Sequence, residues 1–334
     1  MIPLLLLLAC PESPPDRHSF EYPLDDVLDF AHLQALGTHN SYHLRTGERT
    51  LKQWDYEHLP LDQQAEFQGI RQFELDVYRP VSGGPFEVFH VPFFDAETTC
   101  LLLEDCLEDL KGFSDANPGH HPILVLLEPK FAASVANAAE AVGDLEEALL
   151  AVWPEDRLVT PSLVVGDSDS LASAVESIGW PTLGVLRGRA MFVLHTGGPL
   201  RDALTTENPR VDGHVLFPDA MGAWEEPHAA VHTMNDPVGD FDAIQAVVLR
   251  GHLVRTRADS DLQEPSEGDT TRQEAALDSG AHFISTDVPE ARADLDYVAE
   301  IPGGTPSRCN PLVAPEECTP EAIEDPAFIG EARR

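Results

Sequence analysis

Short apolar runs that end in polar, chemistry-bearing residues recur along this chain. Ala31, Leu33, Ala35 and Leu36 lead into Gly37-Thr38-His39-Asn40, and residues 70–78 alternate so that Glu74 and Asp76 share one face. Residues 86–90 end in His90, and Ile123-Leu124-Val125-Leu126-Leu127 ends in Glu128-Pro129-Lys130. This is the pattern of strands buried on both faces that deliver their last residues to a site at the C-terminal edge of a sheet. Further strands are expected over 158–165, 189–195, 229–234, 252–257 and 282–286. Helical spacing predicts a short helix over 24–33 and others over 62–67, 98–113, 132–152, 171–178, 241–250 and 271–279. Gly69 and Asn117-Pro118-Gly119 supply stops. Residues 44–61 read as loop, and 196–227, rich in Gly, Pro, Asp and Glu, as a long loop or insertion. Strand and helix alternating about eight times argue for parallel βαβ units closed into an irregular (β/α)8 TIM-type barrel. It forms a single domain over 24–334, with the tail after Pro289 wrapped on its outside.

Composition bounds the partners. The chain has 334 residues, 43% hydrophobic, enough for one large core. Its formal charge of −37, with 58 acidic against 21 basic residues, excludes nucleic-acid binding by phosphate neutralisation and opposes simple adhesion to anionic membranes. A monomer is expected. Residues 1–10 form a short apolar run closing on Leu7-Leu8-Ala9-Cys10, too short to span a bilayer, where about 20 residues are needed. The run reads as an export signal, and its ending resembles a bacterial lipoprotein signal, which makes Cys10 a candidate lipidation site. An ordinary cleaved signal is the alternative, because no Lys or Arg precedes the run. Residues 11–23 then form a linker. Export, with lipid anchoring to the cell envelope or secretion, is the expected localisation. Cys100, Cys106, Cys309 and Cys318 remain, an even number suited to an oxidising compartment. Proximity in sequence favours Cys100 with Cys106 and Cys309 with Cys318, and no CxxC spacing supports a metal site.

Gly37-Thr38-His39-Asn40-Ser41-Tyr42-His43, Glu74-Leu75-Asp76, Val254-Arg255-Thr256-Arg257-Ala258-Asp259, residues 279–287, Pro302-Gly303-Gly304 and Arg308-Cys309-Asn310-Pro311 together resemble the phosphoinositide-specific phospholipases C. Within that family the likeness is to the secreted, calcium-dependent bacterial type, and it spans about residues 30 to 318. It implies a Ca²⁺-dependent phosphodiesterase that cleaves phosphatidylinositol in a lipid or membrane surface to a cyclic inositol phosphate and diacylglycerol. Asn40, Glu74, Asp76 and Glu128 offer hard oxygen donors suited to Ca²⁺. Glu74 and Asp76 interrupt the inward face of an apolar strand, where uncompensated charge is costly. Imidazole carries a proton near neutral pH, so His39 and His90 are the catalytic candidates. By analogy His39 stabilises phosphorus or assists deprotonation, and His90 protonates the departing oxygen.

Lys130 follows Glu128 by two and suits contact with phosphate; a salt bridge to the carboxylates is its alternative. Arg255 and Arg257 share a strand face and could grip inositol hydroxyls or a ring phosphate, with an ion pair to Asp259 or Asp287 as the alternative. Asp287 is placed to orient His39. His43, His195 and His232 also fall near strand ends and are not assigned direct chemistry. Two other functions fit less well. One is a glycerophosphodiester phosphodiesterase or phospholipase D-like barrel, although the His-Arg-Gly opening associated with the former is absent. The other is a non-catalytic Ca²⁺-binding surface protein, which needs neither histidine.

Overall fold

Eight parallel strands curl into one barrel in the computed structural model, which describes residues 22–45, 47, 51–80, 83–303 and 306–325. The segment 1–10 with Cys10, and linker residues 11–21, lie outside the described residues. The barrel strands are β1 (Leu33–Thr38), β2 (Gln72–Tyr78), β4 (Ile123–Pro129), β5 (Ala190–Leu194), β6 (Leu216–Pro218), β7 (Val231–Thr233), β8 (Leu253–Arg257) and β9 (Phe283–Thr286). Two short strands lie off this path: β3 (Glu87–Val88) pairs antiparallel with β2, and β10 (Ser307–Cys309) pairs antiparallel with β1. The order is β6-β5-β4-β2-β1-β9-β8-β7, and a single parallel bridge, Asp219 to Val231, joins the two ends. The fold is therefore an irregular (β/α)8 barrel, weakest where β6 and β7 are only three residues long.

Local chemistry explains the elements. Ile123 to Leu127 are all fully buried, the continuous apolar run of a strand covered on both faces. Helix Ala138–Val152 buries Ala138, Ala141, Val142, Leu145 and Leu149 along one stripe against the barrel. Gly37 lets β1 and β2 approach closely, since a Cβ there would lie 2.1 Å from Gln72 Oε1. Gly69, at φ 68°, ends the turn before β2 in the left-handed region. Disulfides join Cys100 to Cys106 and Cys309 to Cys318, the pairing favoured by sequence proximity.

Four expectations need correction. Residues 158–165 do not form a strand: Leu158 keeps one bridge to Ala190, and then Thr160 caps a helix over Pro161–Val165 with proline in its first turn. A β-branched apolar run was ambiguous there, and the capping pair decided it. The supposed loop 196–227 holds helix Pro199–Thr205 and barrel strand β6, hidden because three residues are too few to show a period. Residues 24–33 form turns and the short 3₁₀ segment Phe30–His32 instead of a helix, and Leu33 already belongs to β1. The 86–90 run contributes only a two-residue antiparallel strand outside the barrel.

Candidate active site

Residues at the C-terminal ends of the strands converge on the barrel mouth. The β2–β4 register sets Asp76 directly beside Glu128, so two carboxylates face the mouth from neighbouring strands. Lys130 sits against both, its Nζ 2.6 Å from Glu128 Oε1 and 3.2 Å from Asp76 Oδ2. Asp76 is fully buried, and apart from this ion pair with Lys130 neither of its oxygens has a well-directed hydrogen bond. Burial pushes its carboxyl well above the usual range; Lys130 opposes this, while the charges of Glu128 and Glu74 add to it. Glu74, also buried, pairs with Arg255 Nη2. Burial works against the Glu74 anion, but Arg255, helped by His39, His195 and Arg257, more than offsets it and holds the carboxyl at about 2. Asn40 adopts a left-handed φ of 42°, a conformation asparagine tolerates, and its side chain meets the hydroxyls of Tyr56 at 3.2 Å and Tyr42 at 3.4 Å.

The two histidines come from separate strand ends. His39 Nδ1 lies 2.8 Å from Asp287 Oδ1, and the other Asp287 oxygen accepts from Arg257 Nη2 at 3.1 Å. Burial, reinforced by Arg257, lowers the His39 proton affinity well below that of free imidazole. His58 holds the His39 carbonyl at 3.0 Å. His90 Nδ1 lies 2.7 Å from Asp95 Oδ2, and Tyr78 donates its hydroxyl to the His90 carbonyl at 2.7 Å. Arg255 and Arg257 thus reach the mouth as partners of Glu74 and Asp287, and Arg255 also donates to Asn235 at 2.6 Å.

Sequence reasoning missed Asp95, Asp219 and Asn235, and it left His195 aside. His195 Nδ1 lies 2.6 Å from Asp219 Oδ2, and one donor atom each of His195, Glu74 and Glu128 fall within 4.8 Å of one another. Asp219 follows the unrecognised strand β6, and Asp95 lies in an aperiodic loop, so no sequence pattern marked either residue. A buried carboxylate with no well-directed hydrogen bond, its charge met by a Lys130 shared with Glu128, fits a hard divalent cation, and Asn40, Glu74, Asp76 and Glu128 are the residues that would hold Ca²⁺.

Fold and site together define a barrel enzyme with carboxylate-supported histidines around an oxygen-rich cation site. The chain belongs to the Ca²⁺-dependent phosphoinositide phospholipase C family, whose model matches residues 28–87 and 85–311. It is accordingly a phosphoinositide-specific phospholipase C that depends on Ca²⁺. Among solved structures, the calcium-dependent phosphoinositol-specific phospholipase C from a Pseudomonas species matches with a TM-score of 0.59 and 20% identity, over 86% of this chain and 97% of that one. The Ca²⁺-dependent phosphatidylinositol-specific enzyme from Streptomyces antibioticus matches with a TM-score of 0.59 and 18% identity, over 78% and 95%. At those identities the likeness shows the fold. A search of curated proteins found no match.

Proposed function

We propose that the protein cleaves phosphatidylinositol by attack of the inositol 2-hydroxyl on phosphorus, giving a cyclic inositol phosphate and diacylglycerol. The observation that carries this reading is the pairing of two mouth histidines with separate buried aspartates, His39 with Asp287 and His90 with Asp95, beside the acidic cation site. Attack and departure each move a proton, and two positioned imidazoles divide that work. His39, kept neutral by burial and Arg257, is suited to take or share the hydroxyl proton, with Asp287 holding its Nδ1–H. His90 delivers a proton from Nε2 to the diacylglycerol oxygen as the P–O bond breaks. When bound by Asn40, Glu74, Asp76 and Glu128, Ca²⁺ supplies Lewis-acid chemistry that acidifies the hydroxyl and offsets phosphate charge. Arg255 and Arg257, locked by Glu74 and Asp287, offer their remaining N–H groups to the inositol or its phosphates.

Phosphorus NMR of the products tests the reaction. A cyclic phosphodiester signal that appears with Ca²⁺ and vanishes in chelator is expected; linear inositol phosphate as the first product, or full activity in chelator, overturns the reading. The apolar start of the chain and the even set of disulfide-forming cysteines support a further proposal, export with lipidation at Cys10. A mature N-terminus mapped by mass spectrometry to anything other than lipid-modified Cys10 removes the anchor.

A further inference from the structure

The loop after His90 turns back on itself. Val91 and Asp95 exchange backbone hydrogen bonds at 2.8 and 2.9 Å, and Phe93 takes a left-handed φ of 67° at the bend. The turn carries Asp95 to a fully buried position where its Oδ2 meets two imidazoles, His90 Nδ1 at 2.7 Å and His43 Nε2 at 2.8 Å. His43 is itself fixed. Its side chain is fully buried, its Nδ1 lies 3.0 Å from the Tyr56 carbonyl, and its ring lies 4.4 Å from that of Tyr56. The His90 ring is further confined by the edge of Trp54, with centroids 5.3 Å apart.

We infer that Asp95, braced by His43, is the positioning residue that fixes the tautomer and orientation of His90. It keeps one proton on Nδ1, so that the second proton, carried by the ring in its imidazolium form, sits on Nε2 facing the leaving oxygen and the ring is left as the Nδ1–H neutral form after transfer. This rests on the reading of His90 as the general acid. A carboxylate only accepts, so its contact with Nδ1 requires an N–H there. His90 Nε2 has no hydrogen-bond partner among the described residues. Burial opposes the Asp95 charge, but the bonds from His43 and His90 more than compensate, so the carboxyl sits below its ordinary value and stays an acceptor across the working pH range. The titratable groups facing His90 are Asp95 from its own loop, His43 from the loop after β1 and Tyr78 from β2; His39 acts on it across the mouth. Among the described residues, only Asp95 touches a ring nitrogen of His90.

The first test uses the intact protein. Nitrogen-15 NMR of His90, assigned by its loss in His90→Gln, should show the Nδ1–H tautomer in the neutral ring; the Nε2–H tautomer overturns the inference without any positioning variant. In Asp95→Asn the Nδ1–H tautomer of the neutral His90 ring should lose its dominance, and kcat on phosphatidylinositol should fall roughly 10- to 100-fold with KM little changed. A substrate with a nitrophenolate leaving group should be spared most of that loss, and Asp95→Glu should recover part of it. An unchanged His90 tautomer in folded Asp95→Asn, with equal losses on both substrates, marks Asp95 as merely structural and overturns the proposal. Failure of the acid reading looks different: His90→Ala then loses as much on the nitrophenyl substrate as on the lipid. A changed His90 tautomer in Asp95→Asn would still support the positioning.

Discussion

The two ends of the barrel bury histidines and charges in different company. At the mouth, His39, His90 and His195 each put Nδ1 on an aspartate, namely Asp287, Asp95 and Asp219. At the opposite end, before the strands begin, hydroxyls and backbone groups take a larger share. His120 meets the His121 carbonyl and the Ser114 hydroxyl, and His121 meets the Pro122 carbonyl and the Ser307 hydroxyl. His282 accepts from the Val254 N–H and meets the Ala31 carbonyl. The division is not complete: at the mouth His58 holds only a backbone carbonyl, and at the floor His121 lies 3.5 Å from Glu324, His214 3.0 Å from Glu146 and His252 3.1 Å from Glu176. The charged groups differ too. At the floor the buried Arg71 is saturated by Glu324 and the carbonyls of Ala65 and Ile70, whereas at the mouth the buried Asp76 makes no well-directed hydrogen bond and shares the Lys130 ammonium with Glu128. A completed network holds a fold, and an incomplete one is built around something that binds.

The largest effects should separate the two ends by kind. His39→Ala and His90→Ala at the mouth should each lower kcat by about 10²–10⁴-fold while thermal melting stays close to that of the parent. Loss of folding in step with activity would make these histidines part of the scaffold. At the floor, Glu324→Ala strands the Arg71 guanidinium, which keeps only its two carbonyls and the face of Phe113 at 4.8 Å. Breaking a buried pair in this way costs about 3–5 kcal/mol. Urea unfolding should show that loss, with kcat per folded molecule unchanged; a kcat that falls in proportion would join the two ends functionally.

Much of the mouth was legible because a buried parallel strand must end somewhere, and Glu74, Asp76 and Glu128 break apolar runs at those ends. Pairing was not legible. Asp95 reaches His90 through a left-handed turn at Phe93, and Asp287 meets His39 only because β1 and β9 are neighbours. The floor was almost silent in sequence. Arg71 and Glu324 lie 253 residues apart, and no local pattern couples them. Likewise β6 was lost to brevity and 161–165 to a cap, both cases of local signals too short to outweigh composition.

Acid should act mainly through the buried neutral histidines of the floor. Burial lowers His120 from 6.5 to about 3 and His282 likewise to about 3. The sign follows from which state binds the proton first. On acidification the unfolded chain takes it up near 6.5, while the folded chain resists until about 3, so stability is complete above about pH 6.5 and is lost progressively below it. By pH 5 the loss is on the order of 2 kcal/mol for each such histidine. Denaturant unfolding across pH 8 to 5 should show this decline, and His120→Gln should flatten it. A stability independent of pH over that range would mean these rings are not buried neutral.

The smallest effect concerns the rim of the mouth, on the loop whose base holds Asp95. Phe93 is 99% exposed and Phe94 75%, adjacent aromatic side chains in water beside His90. The chain's charge of −37 gives no electrostatic attraction to an anionic bilayer, so contact with a lipid substrate has to come from apolar area. Full burial of a phenylalanine side chain contributes about 1.5–3 kcal/mol, and a tip that enters only the interface realises part of that. Phe93→Ser with Phe94→Ser should therefore raise the vesicle concentration needed for half-maximal rate by about 10-fold, while cleavage of a short-chain monomeric phosphatidylinositol stays at the parent rate. Sedimentation with neutral vesicles doped with phosphatidylinositol measures the binding directly. Equal losses on vesicles and monomers would mean that the substitutions disturb Asp95 and His90 through the loop, and unchanged vesicle binding would place the lipid contact elsewhere on the mouth.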